Sequence, residues 1–259
     1  MFRDTSSRRA VSQVVSFVLV FSLVATTVGI VSVVGFDGLT DRRNAERVEN
    51  AERAFDVLAD NVEDVYAESA PSRATEVKLD EASLRTAAST SLTVDFPDDT
   101  LGPFDTSLRP IVFEPQGRNS TIVYEAGAVI RVDDGNAVML REPPFRFDED
   151  RSVHSLVVTG GEDAVSGSTT VLVRTEETLT TVLHPAGTDT AATPDSRFVF
   201  QLETTAARAP AGERYLEDEI SWVSDACTRD GGRVTCELSA AESADELFLS
   251  ETIIDVTFE

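Results

Sequence analysis

Residues 10–35 read AVSQVVSFVLVFSLVATTVGIVSVVG, and from Ala10 to Gly35 no side chain is charged. Wound as an α-helix at about 1.5 Å per residue, the run reaches about 39 Å, beyond the roughly 30 Å of a bilayer's hydrocarbon core. A soluble helix of that length would carry a polar stripe, and none is visible. Arg3, Arg8 and Arg9 come before it, whereas Asp37 and Asp41 follow it ahead of any arginine. Positive charge stays on the cytoplasmic side. The asymmetry therefore predicts a single-pass cell-membrane protein with its N-terminus inside and everything after Asp37 extracellular.

Two other readings of the segment compete. A cleaved secretory signal has a shorter apolar region and a small-x-small site behind it, and no such site closes this run. The twin arginines Arg8-Arg9 suggest a Tat signal, but such signals carry shorter, weaker apolar regions. The order of parts favours a third reading. Arg9-Ala10 followed by Val11-Ser12 resembles the site cut by archaeal prepilin peptidase, with the apolar helix after the cut rather than before it. Ala10 to Val15 is similar to the start of haloarchaeal type IV pilins and flagellin-like proteins, although Gln13 stands where their pattern has proline. Bacterial pilins carry a glutamate five residues into the mature chain, and here that position is Val15. Wider blocks resemble an uncharacterised haloarchaeal family of membrane-anchored, pilin-like proteins. They are the run from Phe36 to Leu84, with Ala54 to Asn61 and Ala70 to Thr75 within it, and Tyr124 to Val129 and Leu140 to Phe145. The resemblance implies a location and an architecture but no chemistry. Its implied partners are membrane lipid, a prepilin-type peptidase and other pilin-like subunits.

Charge agrees with such a source. The chain has 46 Asp+Glu against 22 Lys+Arg, a net charge of −24, and Lys78 is its only lysine. So negative a surface repels a phosphate backbone, which excludes nucleic acid as a partner. Val, Leu, Ile and Phe recur along the whole chain, unlike a disordered acidic segment. Concentrated salt screens the self-repulsion of a carboxylate surface, so a halophilic archaeon fits the composition.

After Gly38 a helical period returns. Val48, Ala51, Phe55, Leu58, Val62 and Val65 are spaced alternately three and four apart, and Ser69-Ala70-Pro71 ends the pattern. The seam is short for a coiled coil between subunits, which favours a helix lying on the chain's own β domain. Gly35 and Gly38 could let the chain bend at the membrane surface.

From Thr75 onward the period becomes two. Strand-like runs at 111–113, 121–124, 129–132, 137–140, 153–158, 169–173, 178–183, 198–202, 234–238 and 252–258 are separated by turn residues. Val77 and Leu79, and then Leu92, Val94 and Phe96, alternate likewise. Residues 210–220 suit one short helix, and 187–194 a loop. The fold expected is α+β: a long N-terminal helix, transmembrane and then amphipathic, before a mainly antiparallel β-sandwich-like domain. Its divisions are a basic leader at 1–10, the transmembrane helix at 11–35, an amphipathic stalk at 36–69 and the extracellular β-rich domain at 70–259.

If Gly231-Gly232 is a two-residue hairpin turn, Cys227 faces Cys236 across a ladder at about 4.5 Å between Cα atoms. Two free buried thiols would be the alternative; an extracellular address and this register favour a disulfide. Asn119-Ser120-Thr121 is the one N-glycosylation acceptor pattern. His154 and His184 stand alone, as strand residues do, and there is no H-E-x-x-H, G-x-S-x-G or phosphate-cradling loop. Asp133-Asp134-Gly135-Asn136 reads as a hairpin turn, not a calcium loop, and Asp148-Glu149-Asp150 as a solvated face. Trp222 and the phenylalanines read as core. No metal, cofactor or catalytic residue is expected. Two roles remain open: a pilin-like cell-surface structural subunit, a minor pilin or pilus-associated protein, and a non-assembling membrane-anchored extracellular binding domain. The peptidase site would be Arg9, Ala10 and Val11.

Overall fold

Six apolar residues three or four apart share one side of a helix, and Val48, Ala51, Phe55, Leu58, Val62 and Val65 are all buried. They lie in α1 (Ser6–Glu68) of the computed structural model. The structure describes residues 6–259 except 98, 100, 118, 186–189 and 192; the side chains of 6–13, 33–41 and 44 also lie outside the described set. The helical assignment of α1 runs on through Gly35 and Gly38. It ends where Ser69 takes a left-handed φ of 58° and the Ala70 N–H closes onto the Asp64 carbonyl at 3.0 Å. Pro71 then bars further helix.

Two compact units result, Met1–Glu46 and Arg47–Glu259. The boundary expected at 69/70 thus falls at 46/47. Phe55, Leu58 and Val62 have no exposed surface, so this part of α1 belongs to the body's core and is not a separate stalk. The Phe55 ring meets Phe113 edge-on at 6.4 Å. Of the two readings of the seam, packing on the chain's own β domain is the one observed.

Within the body the chain forms β1 (Ser72–Lys78), β2 (Ala82–Thr86), β3 (Thr90–Asp95), β4 (Phe104–Leu108), β5 (Ile111–Pro115) and β6 (Ser120–Glu125). Next come β7 (Ala128–Asp133), β8 (Asn136–Arg141), β9 (Phe145–Arg146), β10 (Arg151–Thr159), β11 (Ala164–Gly167) and β12 (Thr170–His184). The last elements are β13 (Phe198–Glu203), α2 (Ala209–Glu219), β14 (Cys227–Asp230), β15 (Arg233–Leu238) and β16 (Glu246–Phe258). They build three sheets, ordered β1-β12-β16-β10-β9, β11-β2-β5-β6-β7-β8 and β14-β15-β13-β3-β4. Among the described residues all pairings are antiparallel except β10 with β16, which is parallel. The α+β class and the mainly antiparallel pairing match the expectation, with three sheets where two were expected.

Four short strands had no signal of their own: β2, β4, β9 and β11. Each is two to five residues long and half polar, too short for a period of two to register. The runs at 169–173 and 178–183 are one strand, β12, with a ladder irregularity between Glu177 and Leu179. Part of the loop predicted at 187–194 lies outside the described residues. The helix expected at 210–220 is α2, with Pro210 in its first turn, where a missing N–H costs nothing.

Two large apolar cores hold the sheets. In the first, the α1 seam meets β1, β10, β12 and β16 of one sheet and β2, β5, β6 and β7 of the next. The second joins the opposite side of β10 and β16 to the third sheet and to α2. Alternation along one strand makes this double use visible: Val157 belongs to the first core, Leu156 and Val158 to the second. Tight hairpins set the register. Ala126-Gly127, both with positive φ, turn β6 into β7, and a Cβ on Gly127 would stand 2.4 Å from Pro144 Cδ. Glycine is required there by conformation and by space.

Candidate functional site

The most exposed apolar surface belongs to the first unit. Val14–Ser32 is long and apolar enough to cross a membrane, and none of it is buried. A core helix of a soluble protein would be covered; a membrane anchor or a signal sequence would not. Phe17 and Phe21, one turn apart, stack at 6.2 Å. Thr27 turns its hydroxyl back to the Val24 carbonyl at 2.9 Å, which satisfies a polar group inside an apolar run without outside help. Arg9, Ala10 and Val11, where a peptidase cut was expected, have helical backbone within α1, and their side chains lie outside the described residues.

In the body, β14 and β15 pair in the register Asp230↔Arg233, Arg229↔Val234, Thr228↔Thr235 and Cys227↔Cys236. A disulfide joins the two cysteines, whose Cα atoms are 4.0 Å apart. Asn119 is exposed at the β5–β6 turn. Asp134 and Gly135, both with positive φ, form the β7–β8 turn, as their sequence suggested. The carboxylate of Asp148 accepts from the Asp150 N–H at 3.1 Å, and the segment is exposed. Trp222 is half-buried against the second core and donates Nε1–H to the Glu242 carbonyl at 3.2 Å.

Two buried polar features stand out, one with no counterpart in the sequence and one, His154, expected there only as a strand residue. One is an ion pair between α2 and the β6 end: Arg208 and Glu125 lie within 3.0 Å at Nε and Oε2, and Nη2 donates to Oε1 at 3.0 Å. Thr90 and Thr204 donate their hydroxyls to Oε1 at 2.5 and 2.8 Å. Glu125, Thr204 and Arg208 also line a cavity of about 20 Å³, together with Ala126, Ile130, Met139, Phe200 and Leu216. That volume suits a water, not an organic substrate. Residues so far apart in sequence announce no pairing in advance.

The other is His154. Its ring sits among Phe147, Phe200, Phe198 and Phe145, with centroids at 4.4, 5.8, 5.9 and 6.2 Å. Neither ring nitrogen has a hydrogen-bond partner, and burial pushes the pKa down to about 3. Neutral imidazole here fills space as a fifth aromatic ring. Its parity with Leu156 and Val158 was the available sign that it points inward. Among the described residues no carboxylate bonds either nitrogen to orient the ring as an acid or base. Among the described residues, no three His, Cys, Asp or Glu side chains form a group able to hold a metal ion.

A family model matches residues 9–257. The chain belongs to the DUF7289 family. It is described as a family of unknown function, and the matched span includes the apolar helix as well as the body up to residue 257. Nothing among curated proteins or solved structures matches the chain.

Proposed function

We propose that this DUF7289 protein is a pilin-like cell-surface subunit, anchored by its apolar helix and trimmed by a prepilin-type peptidase between Ala10 and Val11. The order of parts carries the reading. A basic tip precedes an uncharged helix, and the same helix goes on to supply the seam of the body's core. A signal sequence removed behind the apolar run would detach a segment that the family model includes.

In this reading Val14–Ser32 spans the bilayer with the N-terminus cytoplasmic and Arg47–Glu259 is the external head. The packing of two sheets about the α1 seam supports a sandwich-like reading of the head. The acid excess suits the high salt of a halophilic archaeon. Arg8 and Arg9 hold the uncut chain at the cytoplasmic face, because burying their charge is expensive. Once they are removed, the helix can leave lipid for a bundle of similar helices, where packing replaces lipid contact. Val15 offers the new N-terminal amine no carboxylate, so assembly here relies on packing alone.

The test is an intact-mass measurement on protein from its native membrane, for wild type, Arg9→Leu and a peptidase deletion strain. Wild type should start at Val11, and both altered samples should keep residues 1–10. A wild-type chain that retains residues 1–10, with a mass indifferent to the peptidase, would leave the non-assembling anchored domain in its place.

A further inference from the structure

Asn119-Ser120-Thr121 spans the end of the β5–β6 hairpin, and its three side chains have different surroundings. Ser120 is buried and donates its hydroxyl to the Asp133 carboxylate. Thr121 is half-buried in β6, opposite Val132. Asn119 is exposed; its carbonyl accepts the Asp134 N–H at 3.0 Å, which pins the backbone. Among the described residues the side-chain amide makes one hydrogen bond, from Nδ2 to the exposed Asp134 Oδ1 at 3.2 Å. Such a bond in water contributes little and is readily given up.

Of the five asparagines, Asn44, Asn50 and Asn61 have glutamate two residues on and Asn136 has Val138. Asn119 alone is followed at that distance by a hydroxyl, with a residue other than proline between. We propose that Asn119 is an N-glycosylation site that accepts an oligosaccharide from a lipid-linked phosphate donor. The proposal rests on the export of the head. In the transfer, Nδ2 bonds to the anomeric carbon as that carbon's bond to the lipid phosphate breaks. The phosphate leaves with the electron pair, and the Nδ2 proton passes to a base of the transferase.

The turn's neighbours say where the glycan would hang. The Gln116 N–H bonds the Glu81 carbonyl at 2.9 Å, and Arg47 pairs with Asp80 at 3.4 Å and Glu81 at 2.5 Å. The turn thus starts next to Glu81, and Asn119 itself adjoins Asp134, with Asp133 bound by its neighbour Ser120.

Peptide mapping of protein from the native membrane tests the site. The Asn119 peptide should carry a glycan mass in wild type and in Thr121→Ser, and lose it in Asn119→Gln and Thr121→Ala. An unmodified Asn119 in wild type overturns the site. A membrane-impermeant amine reagent on intact cells separates the causes, because exposed Lys78 is the only lysine. If Lys78 is labelled while Asn119 is bare, the site alone fails; if neither is modified, the export of the head fails with it.

Discussion

Arg208 grips Glu125 through two contacts of 3.0 Å, in a place where the two side chains are only 9% and 3% exposed. The pair ties the start of α2 to the turn between β6 and β7, and Thr90 and Thr204 fill the carboxylate's remaining acceptor sites. A buried pair of this kind is costly to break from one side, because the partner is left charged and unpaired. Arg208→Met should destabilise the body by about 3–5 kcal/mol in chemical denaturation. Adding Glu125→Leu should recover much of that loss. A double variant as unstable as the sum of the singles would contradict the coupling.

His154 predicts a pH effect with a definite sign. Its pKa is about 3 in the folded chain against 6.5 for an ordinary histidine, so between those values the unfolded chain binds a proton that the folded chain refuses. Stability from this group is complete above pH 6.5. It falls by about 1.4 kcal/mol for each unit of acidification through the window. Carboxylate protonation relieves the net negative charge and works in the opposite direction, so the useful quantity is a difference. The stability of His154→Phe relative to wild type should increase steadily from pH 6.5 down to pH 4. A difference independent of pH would mean that His154 is not held neutral.

Burial of the helix seam is tested by neighbours on α1. Phe55 has no exposed surface, whereas Val57 is half exposed. Phe55→Ala should cost about 3–5 kcal/mol of stability in the full chain in detergent. Val57→Ala should stay within about 0.5 kcal/mol of wild type. Equal effects would remove the seam from the body's core.

Cys227 and Cys236 close a short loop, nine residues apart. Loop entropy of that length corresponds to about 2.5 kcal/mol. Reduction should therefore lower the melting temperature without abolishing the fold. Non-reducing peptide maps should show the two cysteines linked, and thiols that alkylate freely without reductant would exclude the link in the native protein.

Salt should raise stability. With 46 acidic and 22 basic residues, net repulsion outweighs the exposed ion pairs, and ionic strength weakens the repulsion. Thermal unfolding of the full chain in detergent should move upward from dilute to molar potassium chloride. A flat or falling melting temperature would show that the acidic surface is already relieved by its own arginines.

Features that depend on near neighbours in sequence were legible in it: the uncharged run from Ala10 to Gly35, the seam from Val48 to Val65, and the facing cysteines. Each follows from a local rule, since helical spacing places residues on one side and a two-residue turn pairs strands by arithmetic. Alternation shows which side of a strand is buried but not which strand lies beside it. Three sheets instead of two, the parallel β10–β16 pair and the use of both sides of β10 by different cores depend on strands far apart in sequence. The same holds for Glu125 and Arg208, 83 residues apart, and for the four phenylalanines around His154. The seam is the clearest case of both. Its period determined that Phe55 and Leu58 must be covered, but a sister helix would have covered them as well as a sheet. Tertiary packing decided for the chain's own sheets, which surround the seam closely enough to leave those two residues no exposed surface.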